Sequence, residues 1–458
     1  MAAKYTLTEN GAKTLSDSGN PLVNLFFTIG SARNNPEVTR ANFKKAFEFD
    51  ALRASAIVLC ARDIRHNGMG ERQIFRTLLK DMAGSGKIYT QKIVELIPEI
   101  GRFDDLKAVE GTVYEKMAID IFAKAIRERN VLAAKWAKRE DKKLQLALGL
   151  NEAGLRKLLA SIRKEHIVEA KMCLKDWKSI EYGKIPSVAG TRYSKAFHKN
   201  DGIRYRAFID NPDTKVNASA SFPYDVYRMW SSRTCQPPEI NKYWNNLKEL
   251  ELSGSVLAIV DTSDSMTWFK VAGSLVPRDI AVSLGVYCAQ KIEGKFKNNM
   301  MTFNSNPEFF TLPTGDVCQA FDKVMRSNIG GSTNIQKAYE KILSMAQTVN
   351  ATDKDMPKFI LIISDMQFNG CTDRPSDTVY DNMRKKYKAA GFTMPKVIFW
   401  NMDARHDQYP TASFQKETAL ISGFSPNILK AVLKGQDVVI TPEGIMNEAI
   451  APFIEMLK

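Results

Sequence analysis

The chain has 458 residues, 44% of them hydrophobic, which is enough for two or three domains with sizeable cores and excludes a disordered tail protein. Its six cysteines (Cys60, Cys173, Cys235, Cys288, Cys318, Cys371) are scattered without a C-x-x-C spacing, which argues against zinc and against a disulfide framework. The start, Met1-Ala2-Ala3-Lys4-Tyr5-Thr6, lacks the apolar core of a signal peptide, and no apolar run reaches the roughly 18 residues of a membrane span, so the expected location is the cytoplasm. The net charge of +14 is uneven. Residues 1–250 hold 43 Lys and Arg against 29 Asp and Glu, whereas residues 251–458 hold 22 of each. An excess confined to one half points to a polyanionic partner, most often nucleic acid.

Residues 1–20 are polar and rich in Ser, Thr, Asn and Gly, and are expected to be loosely ordered. From Pro21 to about Leu174 the apolar spacing is helical: Leu22, Leu25, Phe26 and Ile29 form one stripe, and Ile74, Leu78 and Leu79 another. Breaks fall at Asn67-Gly68, Gly84-Ser85-Gly86, Pro98, Gly101 and Gly111. Many moderate helices with short turns predict stacked antiparallel helix pairs of the HEAT kind, although no fixed-period repeat is present.

Three stretches in this basic half carry chemistry. Arg62-Asp63-Ile64-Arg65-His66-Asn67-Gly68-Met69-Gly70-Glu71-Arg72 reads as a helix end, a glycine turn and a new helix. Gly68 and Gly70 permit left-handed backbone there. Arg62, Arg65 and Arg72 are placed to hold phosphates bidentately; the alternative is that Arg62 and Arg65 pair with Asp63 and Glu71 and clamp two helices. The loop lacks the G-x-x-x-x-G-K-[ST] pattern, so nucleotide hydrolysis has no support. The second stretch is Pro98-Glu99-Ile100-Gly101-Arg102-Phe103-Asp104-Asp105-Leu106. The third follows Ile185-Pro186-Ser187-Val188-Ala189 and sets Arg192, Lys195, His198, Lys199, Arg204 and Arg206 among Tyr193, Phe197, Tyr205 and Phe208. Cations interleaved with rings suit single-stranded nucleic acid, where charges track phosphates and rings stack on bases. The plainer alternative is amphipathic helices with rings inward and cations in water.

In residues 180–250 glycine, proline, asparagine and aromatics rise and helical periodicity weakens; the segment leads without a low-complexity linker into the second half, so a fixed interface is expected. That half alternates strand and helix patterns. Strands are predicted at 255–260, 298–304, 307–312, 358–364, 395–401 and 436–440. Helices are predicted at 274–293, 316–327, 334–347, 376–389, 426–434 and 443–457. This is the pattern of a doubly wound α/β sheet.

The apolar run Val256-Leu257-Ala258-Ile259-Val260 ends in Asp261-Thr262-Ser263-Asp264-Ser265. Downstream, Gly330-Gly331-Ser332-Thr333-Asn334 enters a helix, and Phe359-Ile360-Leu361-Ile362-Ile363 ends in Ser364-Asp365. Ligands of such sheets bind at the carboxyl ends of strands, where these side chains fall. Carboxylates and hydroxyls converging there suit Mg²⁺ or Mn²⁺, which take hard oxygen ligands.

This three-part pattern resembles the metal-ion-dependent adhesion site of the von Willebrand factor A domain. The resemblance implies Asp261, Ser263, Ser265, Thr333 and Asp365 as ligands, the hydroxyls touching the metal and the aspartates often acting through water. The layout of a basic helical half with the glycine–arginine loop, G-R-F-D-D-L and P-S-x-A, followed by this domain, resembles a family of uncharacterised plant, viral and phage proteins. That family is similar in layout to the Ro (TROVE-domain) ribonucleoproteins, whose helical-repeat ring is closed by the von Willebrand factor A domain and binds single-stranded RNA ends and small structured RNA.

The expected organisation is therefore a loose segment at 1–20, a basic TROVE-like helical-repeat domain at 21–250 and a von Willebrand factor A-like domain at 251–458. The expected function is non-enzymatic RNA binding. The alternative is a protein-interaction adaptor whose metal is completed by a partner's carboxylate. An enzyme is disfavoured: His66, His166, His198 and His406 form no ligand-spaced pair, and no nucleophile elbow appears.

Overall fold

The computed structural model describes residues 5–9, 13–33, 35–164, 167–218, 221–247, 256–268, 270–271, 274–291, 294–303, 307–327, 335–367, 377–404, 407–425, 428 and 440–458. The chain is mixed α and β, with helices filling the first half and a mixed, mainly parallel sheet in the second.

A short hairpin, β1 (Tyr5–Leu7) with β2 (Lys13–Leu15), opens the chain. The helices that follow are α1 (Pro21–Ile29), α2 (Pro36–Phe49), α3 (Ala51–Arg62), α4 (Gln73–Gly84) and α5 (Thr90–Ile100). After a 3₁₀ turn at Phe103–Val109 come α6 (Glu115–Arg127), α7 (Val131–Trp136), α8 (Lys142–Leu148), α9 (Glu152–Arg163) and α10 (Val168–Cys173). The long α11 (Ser187–Asp210), kinked at Asp201, precedes α12 (Pro223–Ser231) and α13 (Pro237–Asn245). Starts follow local capping chemistry: Asn20 accepts from Leu22 N with Pro21 at the first turn of α1, and Asp50 accepts from Arg53 N at α3.

The second half builds one six-stranded sheet from β3 (Val256–Val260), β4 (Asn299–Thr302), β5 (Phe309–Thr311), β6 (Phe359–Ser364), β7 (Lys396–Asn401) and β8 (Thr418–Ser422). Its order is β5-β4-β3-β6-β7-β8, parallel throughout except for the antiparallel edge strand β5. Helices α14 (Pro277–Lys291), α15 (Val317–Arg326), α16 (Ile335–Thr348), α17 (Asp377–Ala389) and α18 (Pro442–Leu457) alternate with the strands. Counted from β3, this is the 3-2-1-4-5-6 order of a doubly wound sheet, whose switch point falls between β3 and β6. Both strands are buried along their whole length, as an apolar central parallel strand requires.

Sequence periodicity predicts five of the six strands within a few residues. It misses β8, because Thr418-Ala419-Leu420-Ile421-Ser422 is short and ends in polar residues. Those polar ends are satisfied across the chain: Ser422 Oγ donates to Phe26 O at 2.7 Å and accepts from Gly30 N at 3.1 Å. The strand expected at 436–440 and the helix expected at 426–434 lie almost wholly outside the described residues.

One continuous apolar core runs through both halves. The helical half meets the sheet half near both of its ends. At its start, α1 lies on β8, and α3 packs on α18. At its finish, α12 packs on α14 and α13 on α15, with Trp244 Nε1 donating to Gln290 Oε1 at 2.7 Å and Asn241 Nδ2 to Asp316 Oδ1 at 3.0 Å. The first contact depends on two glycines: a Cβ on Gly30 would stand 2.5 Å from Gly423 N. The segment expected to be loose is tied down in its described part. Leu15 and Tyr409 exchange two backbone hydrogen bonds, and Ser18 Oγ bonds Asn24 Oδ1, because its polar side chains find partners in the folded chain rather than in water. No helix among the described residues is long and apolar enough to cross a membrane.

Candidate functional site

The tips of β3 and β6 stand side by side at the switch point. The register Val260–Ile363 continues through Asp261 N, which donates to Ile363 O at 3.0 Å, so Asp261 and Ser364 emerge next to each other. Ser364 Oγ donates to Asp261 Oδ2 at 2.6 Å and accepts from Met366 N at 3.0 Å. Asp261 Oδ1 accepts from Ser263 N at 2.9 Å. The tight loop then turns Ser263 Oγ and Ser265 Oγ to within 3.1 Å of one another. Asp365 is buried, and its Oδ1 accepts from Gln367 N at 3.1 Å. Met366, between Asp365 and Gln367, has a φ of 64°, a left-handed conformation that costs a non-glycine residue energy and is concentrated at functional sites.

The electrostatics follow from burial. Asp261 lies in the protein interior, and desolvation first, then the charge of neighbouring Asp365, push its carboxyl up to about 6. Two buried carboxylates that oppose each other's ionisation, with two serine hydroxyls alongside, make an all-oxygen donor set of the kind that hard divalent cations take. Of the sequence-predicted ligands, the fold thus gathers Asp261, Ser263, Ser265 and Asp365 at one end of the sheet; Thr333 lies outside the described residues. Sequence reasoning missed Ser364, whose signal was a hydroxyl closing an otherwise apolar strand just before the acid. It also missed Gln367, which accepts from Glu9 N at 2.9 Å and donates to Gln408 Oε1 at 3.1 Å, tying this loop to the N-terminal hairpin.

The basic stretch on α11 divides. Arg192, Lys195, Lys199 and Arg206 are exposed. Of the rings beside them, Phe197 and Tyr205 are buried and Tyr193 and Phe208 half-buried. Tyr182 packs against Phe197, Tyr205 and Phe208 at centroid distances of 5.2, 4.7 and 5.6 Å in a small apolar cluster under the helix. Tyr193 packs half-buried against that cluster, so the expectation of base stacking is corrected for Phe197 and Tyr205, whose helical spacing turns them into the core. Arg204 is an internal clamp, donating to Asp201 and to the carbonyls of Ile180 and Trp177 while lying 4.8 Å over the Tyr182 ring. His198 sits 3.3 Å from the buried Glu239, which also accepts from Ser194 and Tyr205.

The glycine–arginine loop divides as well. Asp63 accepts from the backbone of Arg65, His66 and Gly68 and shapes the turn. Gly70 adopts the left-handed conformation, at φ 72°. Gly68 is needed for close approach instead, since a Cβ there would lie 2.4 Å from Cys60 O. Arg62 is fully buried, and its Nε donates to Asp105 Oδ2 at 2.8 Å, so it is corrected from a phosphate ligand to a structural clamp on G-R-F-D-D-L. Its partner is neither Asp63 nor Glu71; Glu71 pairs with Arg33. Arg65 and Arg72 remain exposed.

Two family models match the chain, one on each side of residue 250. Residues 255–450 match a domain of unknown function (DUF7788), and residues 110–242 match another (DUF2828). The chain is also similar to the uncharacterised protein L728 of Acanthamoeba polyphaga mimivirus, 24% identical across 99% of this chain and 88% of that protein. That similarity crosses both halves.

Proposed function

We propose that the protein is a non-enzymatic RNA-binding protein of Ro-like layout, in which a HEAT-like, TROVE-like helical half binds single-stranded or small structured RNA. The observation that carries this reading is the confinement of the whole +14 excess to residues 1–250. Exposed cations on α11 and on the glycine–arginine loop support it. So does the attachment of the helical half to the sheet half near both of its ends, the connectivity a closed ring or arc requires.

In this reading the sheet half is a von Willebrand factor A-type domain. Asp261, Ser263, Ser265 and Asp365, with Thr333, hold Mg²⁺ or Mn²⁺. A cation held there would neutralise the carboxylate pair and keep an open position for a ligand oxygen. The test is direct: nucleic acid co-purifies with the protein, raises its absorbance ratio, and is removed by RNase and not by DNase. Protein free of nucleic acid that also fails to bind added RNA defeats the reading.

One observation favours a second reading, an adaptor that docks a partner's carboxylate on the metal. Trp268 is 64% exposed three residues beyond Ser265, where an apolar anchor on a protein partner would be wanted. RNA-independent, cation-dependent capture of a protein partner would select it.

A further inference from the structure

Around the G-R-F-D-D-L turn, cations outnumber the carboxylates that hold them. Arg62 and Arg76 share Asp105: Arg62 Nε lies 2.8 Å from Oδ2 and Arg76 Nε 2.6 Å from Oδ1. Arg76 also pairs with Asp104 at 2.6 Å. Glu71 is taken by Arg33, and Asp63 by its own loop and His66. Three arginines of the same neighbourhood, Arg65, Arg72 and Arg102, pair with no carboxylate among the described residues.

Arg65 and Arg102 are nonetheless positioned. Arg65 Nη2 donates to Gly101 O at 3.4 Å, directly before Arg102. Arg102 N donates to Asp105 Oδ2 at 2.9 Å, and its guanidinium lies 5.3 Å over the Trp136 ring. Burial, and then the charge of Arg72, push the Arg102 guanidinium below its ordinary value, and the nearby Asp104 and Asp105 offset this only in part. A basic groove lined by Arg76, Thr77, Lys80, Lys107, Ala108 and Glu110 continues from the same clamp.

We infer that Arg65, Arg72 and Arg102 form a phosphate site for the backbone of single-stranded RNA, seated on the buried Arg62–Asp105–Arg76 clamp. The inference rests on the RNA-binding reading and locates its electrostatic contact. Guanidinium forks bind phosphate oxygens bidentately, and an anion here relieves a repulsion that the fold leaves standing. Trp136 holds the Arg102 fork, and Gly101 O tethers that of Arg65, before the ligand arrives, so less side-chain freedom is lost on binding. The groove past Arg76 offers the next phosphate its cations.

The test uses the full-length protein and a short fluorescent oligouridylate, followed by anisotropy at several salt concentrations. The triple variant R65Q/R72Q/R102Q is expected to bind about tenfold or more weakly and to flatten the salt slope by roughly 0.7 for each phosphate it no longer neutralises. Its melting temperature should match or exceed that of the wild type. If the triple variant does not fold, R65Q/R72Q, at two exposed positions, is expected to bind several-fold more weakly than the wild type. Wild-type binding with either variant unimpaired overturns this site and leaves the RNA reading standing. A wild type that does not bind at all defeats both.

Discussion

Ser364 Oγ spans the tips of two neighbouring parallel strands, donating to Asp261 Oδ2 at 2.6 Å while accepting from Met366 N at 3.0 Å. With Ser263 N on the other carboxylate oxygen, Asp261 cannot rotate without giving up both bonds. The Asp261 carboxylate is therefore fixed between the tips of β3 and β6.

Asp261→Ala should abolish Mg²⁺ or Mn²⁺ binding and leave the fold nearly intact, because the loop lies at the sheet's tip. Isothermal titration of both proteins checks this; no saturable binding by the wild type, or equal binding by the variant, sinks the assignment. Proton and cation compete for the same carboxylate. The Asp261 value is raised to about 6, so cation affinity should be full near neutral pH and fall as the pH drops through that value.

Ser364→Ala tests whether orientation matters. Losing a positioning hydrogen bond behind a metal ligand commonly costs about 10- to 100-fold in affinity. That loss, with Asp261 still present, is the expected titration result. Unchanged affinity would mean the carboxylate is held well enough by Ser263 N alone.

The α11 cations separate surface charge from architecture. Replacing Arg192, Lys195, Lys199 and Arg206 by Gln should weaken RNA binding modestly and leave the melting temperature nearly unchanged, since exposed substitutions seldom move stability by more than about 0.5 kcal/mol. Arg204→Gln should do the reverse, because it removes donors from two carbonyls and a carboxylate. The same melting temperature for both proteins would contradict the clamp.

Arg62→Met leaves Asp105 buried with half of its counter-charge gone. Breaking a buried ion pair from one side typically costs about 3–5 kcal/mol, so a large drop in the denaturation midpoint is expected. A variant as stable as the wild type would overturn the clamp.

The salt response of the whole chain bears on the function class. RNA affinity should fall steeply between low and physiological salt, with a slope near −0.7 per phosphate neutralised, to order of magnitude about that of single strands generally. A flat response, measured by the same anisotropy assay, favours the adaptor reading.

The sheet half was legible because each of its signals is local. An apolar β-branched run followed at once by Asp261 or Ser364-Asp365 fixes both the strand and the residues at its tip, and alternation with helices fixes the winding. Near-neighbour spacing also located the helical stretch from Pro21 to about Leu174 and the glycine turn at 68–70, but not α11, α12 and α13, whose segment is rich in glycine, proline and aromatics. What each arginine does was not legible, since charge has no direction in a sequence. Arg62 and Arg65 look alike three residues apart, yet one is buried against Asp105, over forty positions away, and the other faces water. The same holds for Tyr193, Phe197, Tyr205 and Phe208, whose inward turn depends on Tyr182 completing a core beneath α11. Strand β8 and the docking of the N-terminal segment were hidden for a related reason. Their polar groups are satisfied by Phe26, Gly30 and Tyr409 only once the two halves have closed on each other. Sequence determined which residues could carry chemistry; tertiary packing decided which are neutralised inside and which remain to meet a ligand, because desolvation and pairing are properties of place.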